Sequence, residues 1–452
     1  MRNIVREQQK LIPIPHEHPH AGELAEISEV LDDNPEIYRL VHEDLIAGLK
    51  NPETGREGMS AEQVIRALVV YQMNEYSYQE LEFHIIDSAC YRAFCRLGFD
   101  DQPSKETLQQ NIKKISAATL EAFNRMIIKE AERRGIELGR KVRTDCTVEA
   151  TNIHAPSDST LLFDVVRVLA RIMGQAREAG FDIDFTNHTK RAKRRMLDIE
   201  HAMRKAKRLK PYRELVKLTE KTIGYAVGAI TELEDSPAHL GLDGILLGMI
   251  LTLDLEHFIP LGRQVVEQTK RRVFNDEKVP ANEKLVSIFE PHTDIIKKER
   301  RETLFGHKLC LTSGSSGLFL DCQILEGNPA DTTLAVAAIE RQRDIFGRVP
   351  RQASFDGGFN SKANLDAIKE LGVRDVMFHK KRGLKVHEMV KSSWVYNRLK
   401  RFRAGIEGGI SFLKRCFGLR RCKWSGFESF KAYTWASIVS ANLLMLARHA
   451  LA

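Results

Sequence analysis

The 452-residue sequence has no C-x-x-C pair, and its seven cysteines (Cys90, Cys95, Cys146, Cys310, Cys322, Cys416 and Cys422) are odd in number and scattered. That pattern excludes a zinc ribbon and a disulfide framework, and it suits a reducing compartment. A long uninterrupted apolar run is also missing. The longest stretch, Thr434 to Ala447, is broken by Ser437, Ser440 and Asn442. It is too short to span a bilayer and reads as a buried helix, so no membrane association is expected. Met1 to Pro15 is charged and proline-interrupted, without the apolar centre of a signal peptide, which points to the cytoplasm. Neither sign of charge dominates: Lys and Arg outnumber Asp and Glu by 69 to 61, a net charge of +8. This mild excess favours a polyanionic partner without naming one. With 43% hydrophobic and 29% charged residues, the chain has the composition of a globular protein of two domains.

Residues 1–57 read as an N-terminal arm in which His16, His18 and His20 alternate with Glu17 and Pro19 along extended chain. Residues 58–136 read as a helical domain for DNA binding or dimerisation. Ser60-Ala-Glu-Gln63 and Ser77-Tyr-Gln-Glu80 match the capping box, and Val64, Leu68 and Tyr71, then Leu81 and Ile85, follow at helical spacing. Near Gly139 the period changes. Lys141 to Thr147 alternates as a strand does, Val148 to His154 reads as a second strand, and Ala155 to Asp158 is a turn. Helical periodicity then runs from Leu161 to about Gln268, giving a helical insertion over about 160–280. Thirteen Lys and Arg fall between Lys190 and Lys221, among them Lys193, Arg194, Arg195, Lys205, Lys207 and Arg208. Density of this kind without matching acids marks a surface that tracks phosphates. Lys308 to Thr312 and Leu318 to Leu325 form a hairpin around a Gly/Ser turn. A helix over Thr332 to Phe346, a strand at Gln352 to Phe355, a helix over Asn360 to Leu371, a strand at Val373 to His379 and helices from Tyr396 complete the order. Residues 137–452 are therefore an α/β mixed sheet of nuclease type with a large helical insertion.

Three acids stand where such a sheet would carry chemistry. Asp145 lies inside the first strand, Asp356 ends a strand directly before Gly357-Gly358, and Glu407 lies on a late helix. Hard oxygen donors suit Mg²⁺ or Mn²⁺, and two such ions serve phosphoryl transfer. At about 100° per residue, Arg403, Glu407 and Lys414 share one helix face, while Gly405, Gly408 and Gly409 fall on the other. Three glycines so close weaken a helix by roughly 1 kcal/mol each, which implies the close approach of another backbone.

The spacing Arg403-x3-Glu407-x6-Lys414 resembles the Tyr-Arg-Glu-Lys signature helix of bacterial insertion-sequence DDE transposases, with Lys400 where that signature has its tyrosine. Tyr78-Gln-Glu-Leu81 and Tyr91-Arg-Ala-Phe94 are similar to the N-terminal helical domain of the same proteins. Asp145 to His154 resembles their first-acid block, and Ser287 to Ile296 with Phe305-Gly-His-Lys308 looks like the ISNCY-type subgroup. The resemblance implies an RNase H-like fold preceded by an all-helical domain. It also implies a magnesium- or manganese-dependent enzyme with two ions held by Asp145, Asp356 and Glu407, supported by Arg403 and Lys414. Its partners would be the inverted repeats of its own element and target DNA, on which it would assemble as a homo-oligomer at the nucleoid. Lys380, Lys381, His307 and His379 are further candidate DNA contacts. A metal-dependent nuclease without strand transfer is the alternative.

Overall fold

The computed structural model describes residues 2–4, 18–52, 54, 57–98, 100–235, 241–298, 302–379 and 383–452. It divides into two units, one of Met1–Thr151 with His307–Ala452 and the other of Asn152–Gly306.

Seven helices open the first unit: α1 (Pro19–Asp32), α2 (Glu36–Ile46), α3 (Ala61–Asn74), α4 (Tyr78–Asp87), α5 (Ala89–Phe94), α6 (Lys105–Ile112) and α7 (Ala117–Arg133). Both expected capping boxes form: Ser60 Oγ accepts from the Gln63 amide at 3.2 Å while Gln63 Oε1 accepts from the Ser60 amide at 3.0 Å, and Ser77 and Glu80 repeat the exchange. The segment read as an arm holds α1 and α2. Pro19 occupies the first turn of α1, where its missing N–H costs nothing. The buried Arg66 of α3 binds Glu62 at 3.1 Å, Asp32 of α1 at 2.6 Å and the Tyr38 hydroxyl of α2 at 3.0 Å. His16 lies outside the described residues.

β1 (Lys141–Ala150) follows as one ten-residue strand, where the sequence reading had two. The second unit then begins with α8 (Asp158–Glu178), α9 (Thr189–His201), α10 (Lys205–Glu234) and α11 (Gly241–Thr269). Their core is built from residues such as Leu162, Val166, Leu169, Leu215, Leu255 and Val265. Each such side chain contributes roughly 1.5–3 kcal/mol when fully buried. Helix Gly241–Phe274 is long and apolar enough to cross a membrane, more so than the stretch from Thr434 singled out in the sequence. β2 (Asp294–Lys298) pairs antiparallel with Glu302–Gly306, the first residues of β3 (Glu302–Ser313).

The remaining elements are β4 (Phe319–Leu325), α12 (Ala335–Phe346), β5 (Gln352–Phe355), α13 (Lys362–Glu370), β6 (Asp375–Phe378), α14 (Val386–Met389), α15 (Ser393–Cys416) and α16 (Phe427–Leu451). The strand order is β2-β3-β1-β5-β6, with β4 antiparallel to β3 and with β1, β5 and β6 parallel. Leaving β2 aside, the hairpin lies on one side of the first strand and two parallel strands on the other, which is the RNase H-like arrangement. In chain order the helical insertion comes between the first strand and the hairpin. One apolar core joins the N-terminal helices, the sheet and α16. Two of the polar residues that interrupt α16 are used inside that core: Ser437 accepts from Gln72 at 2.8 Å, and Asn442 donates to Asn124 at 2.7 Å and accepts from the Phe319 amide at 2.9 Å.

Candidate active site

β1 and β5 run parallel with Thr144 opposite Phe355, so Asp145, midway along β1, lies beside Asp356, the first residue beyond β5. Asp356 is extended and caps the short turn Gly357–Phe359. α15 crosses β1, β5 and β6. Its inward stripe is Val395, Tyr396, Leu399, Arg403, Ile406 and Leu413, and Arg403 is the single charge in it. Tyr396, in the same stripe, fixes the helix by donating its hydroxyl to the Phe378 carbonyl at 3.1 Å.

Arg403 gathers the three acids. Its Nη1 donates to Asp356 Oδ1 at 2.9 Å and lies 3.7 Å from Asp145 Oδ2, while Nη2 binds Glu407 one turn along the helix. The guanidinium is 8% exposed, Asp145 18%, Asp356 40% and Glu407 61%, so the cluster opens to solvent on the Glu407 side. Burial, and next the charge of Asp356, push the Asp145 carboxyl up to about 6, against the opposing pull of the Cys146 amide and Arg403. One guanidinium does not neutralise three carboxylates. Burial raises this acid first and the Asp356 carboxylate adds to it, so the cluster keeps a negative charge that a cation would offset. The donor chemistry therefore fits Mg²⁺ or Mn²⁺. Among the described residues, no three acid, His or Cys donors close on a common point; the carboxylate oxygens turn to Arg403.

Lys414 shares the face expected of it, but its ammonium donates to the Val148 carbonyl of β1 at 2.8 Å. It also lies near Glu149, a fully buried acid raised well above the carboxylate range by desolvation and held by Thr434 at 2.7 Å. The glycines are approached by side chains where a backbone had been expected. A Cβ at Gly405 would lie 2.0 Å from Arg143 Nη1, and one at Gly409 would lie 3.0 Å from the Phe319 ring, whereas Gly408 faces open space. Arg143 was missed in the sequence. It donates to the Phe402 carbonyl at 2.9 Å and to Ser313 at 2.8 Å, and it stacks on the Phe402 ring. The signal was the strand period of two, which puts Lys141, Arg143 and Asp145 on one face.

Among the basic residues of α9 and α10, Lys193, Arg194 and Lys207 are exposed and have no ion pair among the described residues. Arg195 is committed to Asp198 at 2.6 Å and Glu214 at 2.9 Å, and Lys205 to Asp276 at 2.6 Å, so acids do match part of the run. Arg208 donates to the Ala202 carbonyl at 2.7 Å. With Lys205, Tyr212, Arg272 and Lys284 it lines a cavity of about 450 Å³. His307 is buried against the Phe427 and Phe430 rings, which removes it as a DNA contact. Lys380 and Lys381 lie outside the described residues.

Residues 284–443 match the family model described as Transposase DDE domain, and residues 7–114 match the one described as Transposase domain (DUF772). Together they cover more than half of the chain. No curated protein and no solved structure matches it. The fold and the two domains define a DNA transposase. The chain belongs to the DDE transposases of insertion sequences. Asp356, Arg403, Glu407 and Lys414 fall within the DDE match, while Asp145 and the helical insertion up to residue 283 precede it.

Proposed function

We propose that the chain binds the terminal inverted repeats of its own element, hydrolyses the phosphodiester at each end, and joins the freed 3′ hydroxyl to target DNA. The observation that carries this reading is the meeting of Asp145, Asp356 and Glu407 around Arg403. Asp145 within β1, Asp356 just past the end of the adjacent β5, and Glu407, reaching in from α15, would hold two Mg²⁺ or Mn²⁺ ions. When bound, such ions activate an attacking oxygen and stabilise a leaving one. Arg403 is a positioning residue that keeps the three carboxylates facing one another while they are short of cations. Arg143 and Lys414 fix α15 to β1, so Lys414 enters as support for the first-acid strand. In the joining step the 3′ oxygen of the element attacks a target phosphorus. One P–O bond forms as the target's own P–O3′ bond breaks, so no outside energy source is required. Helices α3 to α7 would read the element ends, and Lys193, Arg194 and Lys207 would track the phosphate backbone in the cytoplasm. The test supplies pre-nicked element ends and a second duplex with Mg²⁺. Joined product from element ends and not from scrambled ends is expected. Degradation of both without joining replaces the reading by that of a nuclease.

A further inference from the structure

The first half of α11 carries an apolar face that no described residue covers. Gly248, Leu251, Leu255, Ile259 and Val265 are buried and hold the helix against α8 and α10. On the opposite side Leu242, Leu246, Met249 and Leu253 are 59–85% exposed, with Ile245 and Ile250 beside them at 40% and 49%. Asp243 is the one charged residue from Gly241 through Leu253; charge returns with Asp254 and Glu256. Helix burial does not explain this face, because the helix already has its own buried stripe.

The spacing of the exposed residues says what fits there. Leu242, Leu246, Met249 and Leu253 are separated by four, three and four residues, the alternation of d and a positions in a coiled-coil seam. Ile245 and Ile250 take the flanking positions that thicken such a seam. These six partly to largely exposed aliphatic side chains present roughly 600 Å² of apolar surface, approaching the ~800 Å² that each partner buries in a standard interface. A single chain rarely leaves a patch of this size open.

We propose that this seam is a self-association surface on which a second copy of the chain docks its own α11, antiparallel about a two-fold axis, without need of DNA. Direction follows from the next seam position. Glu256 would meet the partner's Glu256 in a parallel pair, placing like charges in the seam. Antiparallel pairing sets Leu242 against the partner's Leu253 and Leu246 against the partner's Met249, and Glu256 falls beyond the end of the opposing helix. The same patch on both chains closes the pair, so the association stops at two.

Sedimentation velocity of the full chain without DNA tests the proposal. A species of twice the chain mass is expected at micromolar concentration. The Leu246→Glu/Met249→Glu variant should sediment as a monomer with unchanged circular dichroism, since both positions are exposed. A wild type that stays monomeric overturns the proposal, as does a variant that stays dimeric. Flotation with phospholipid vesicles by a monomeric wild type, lost in the variant, would make the face a membrane contact and also overturn it. For direction, Leu242→Cys and Leu253→Cys chains, each with the exposed Cys416 changed to Ser, should cross-link when mixed and not alone. Cross-linking of each alone overturns the antiparallel arrangement.

Discussion

Arg403 on α15 donates to Asp356 at the end of β5 across 2.9 Å, although 47 positions separate them. The same guanidinium touches Asp145 and Glu407, so one buried cation reports the place where a strand pair and a helix meet. Arginine suits that position because its planar fork can serve several carboxylates at once and does not lose its proton.

Replacing Glu407 by Gln keeps the size of the side chain and removes its charge. The position is 61% exposed, so the fold should be unaffected and the thermal midpoint close to wild type. End binding should persist and strand joining should fall by two orders of magnitude or more. Gel-shift and joining assays on the same preparation separate these. Full joining by the variant would remove Glu407 from the acid set.

Asp145 makes the stability of the metal-free chain depend on pH. Its folded value of about 6 lies above the ~3.9 of an unfolded chain. Between the two, the native state binds more protons than the unfolded one, so stability falls as pH rises through this window and is fullest below it. Asp145→Asn should match wild type below about pH 4 and exceed it above about pH 6 by roughly 2–3 kcal/mol. Urea denaturation in chelator across that range measures the difference. A gap that does not change with pH would rule out Asp145 as its source.

Two glycines on one helix should respond with opposite signs. Gly405→Ala would press on Arg143 and loosen its bond to the Phe402 carbonyl, destabilising by about 1–3 kcal/mol. Gly408→Ala meets nothing within 4 Å and should stabilise by up to about 1 kcal/mol through helix propensity alone. Chemical denaturation of the pair decides, and equal effects would refute the contrast.

The basic run divides into two kinds of residue. Neutralising Lys193, Arg194 and Lys207 should weaken DNA binding and reduce the slope of log affinity against log salt by up to about 3. Arg195→Ala should act mainly on stability, because it breaks contacts with Asp198 and Glu214. Binding titrations at several salt concentrations, beside thermal melts, distinguish the groups. An unchanged slope for the triple variant would return these residues to a solvated helix face.

Local chemistry was legible in the sequence wherever a few neighbouring residues decide the outcome. The capping boxes at Ser60 and Ser77 form as read, β5 has the bounds its apolar run gave it, and Arg403 and Glu407 meet as residues one turn apart must. What needed a partner from far away was not legible. The strand was read as breaking after Thr147, yet β1 runs on to Ala150 with Glu149 buried beside Thr434 of α16. Pro19 looked like part of an extended arm because its helix is held by α16 and α5, far along the chain. His307 looked like a surface base until β3 turned it inward against Phe427. The convergence of Asp145 and Asp356 depends on the Thr144–Phe355 register, which no local pattern encodes.

The hydroxyls of Thr144 and Thr312 bond at 3.0 Å in adjacent strands, 168 positions apart. At ~5–20 residues per second, a ribosome takes roughly 10–30 s to make the second after the first. For that interval the strand bearing Asp145 has no neighbour to complete its ladder, while the whole insertion has time to fold. The order of synthesis therefore lets the helical block, which has an apolar core of its own, pack before the nuclease-like sheet can close.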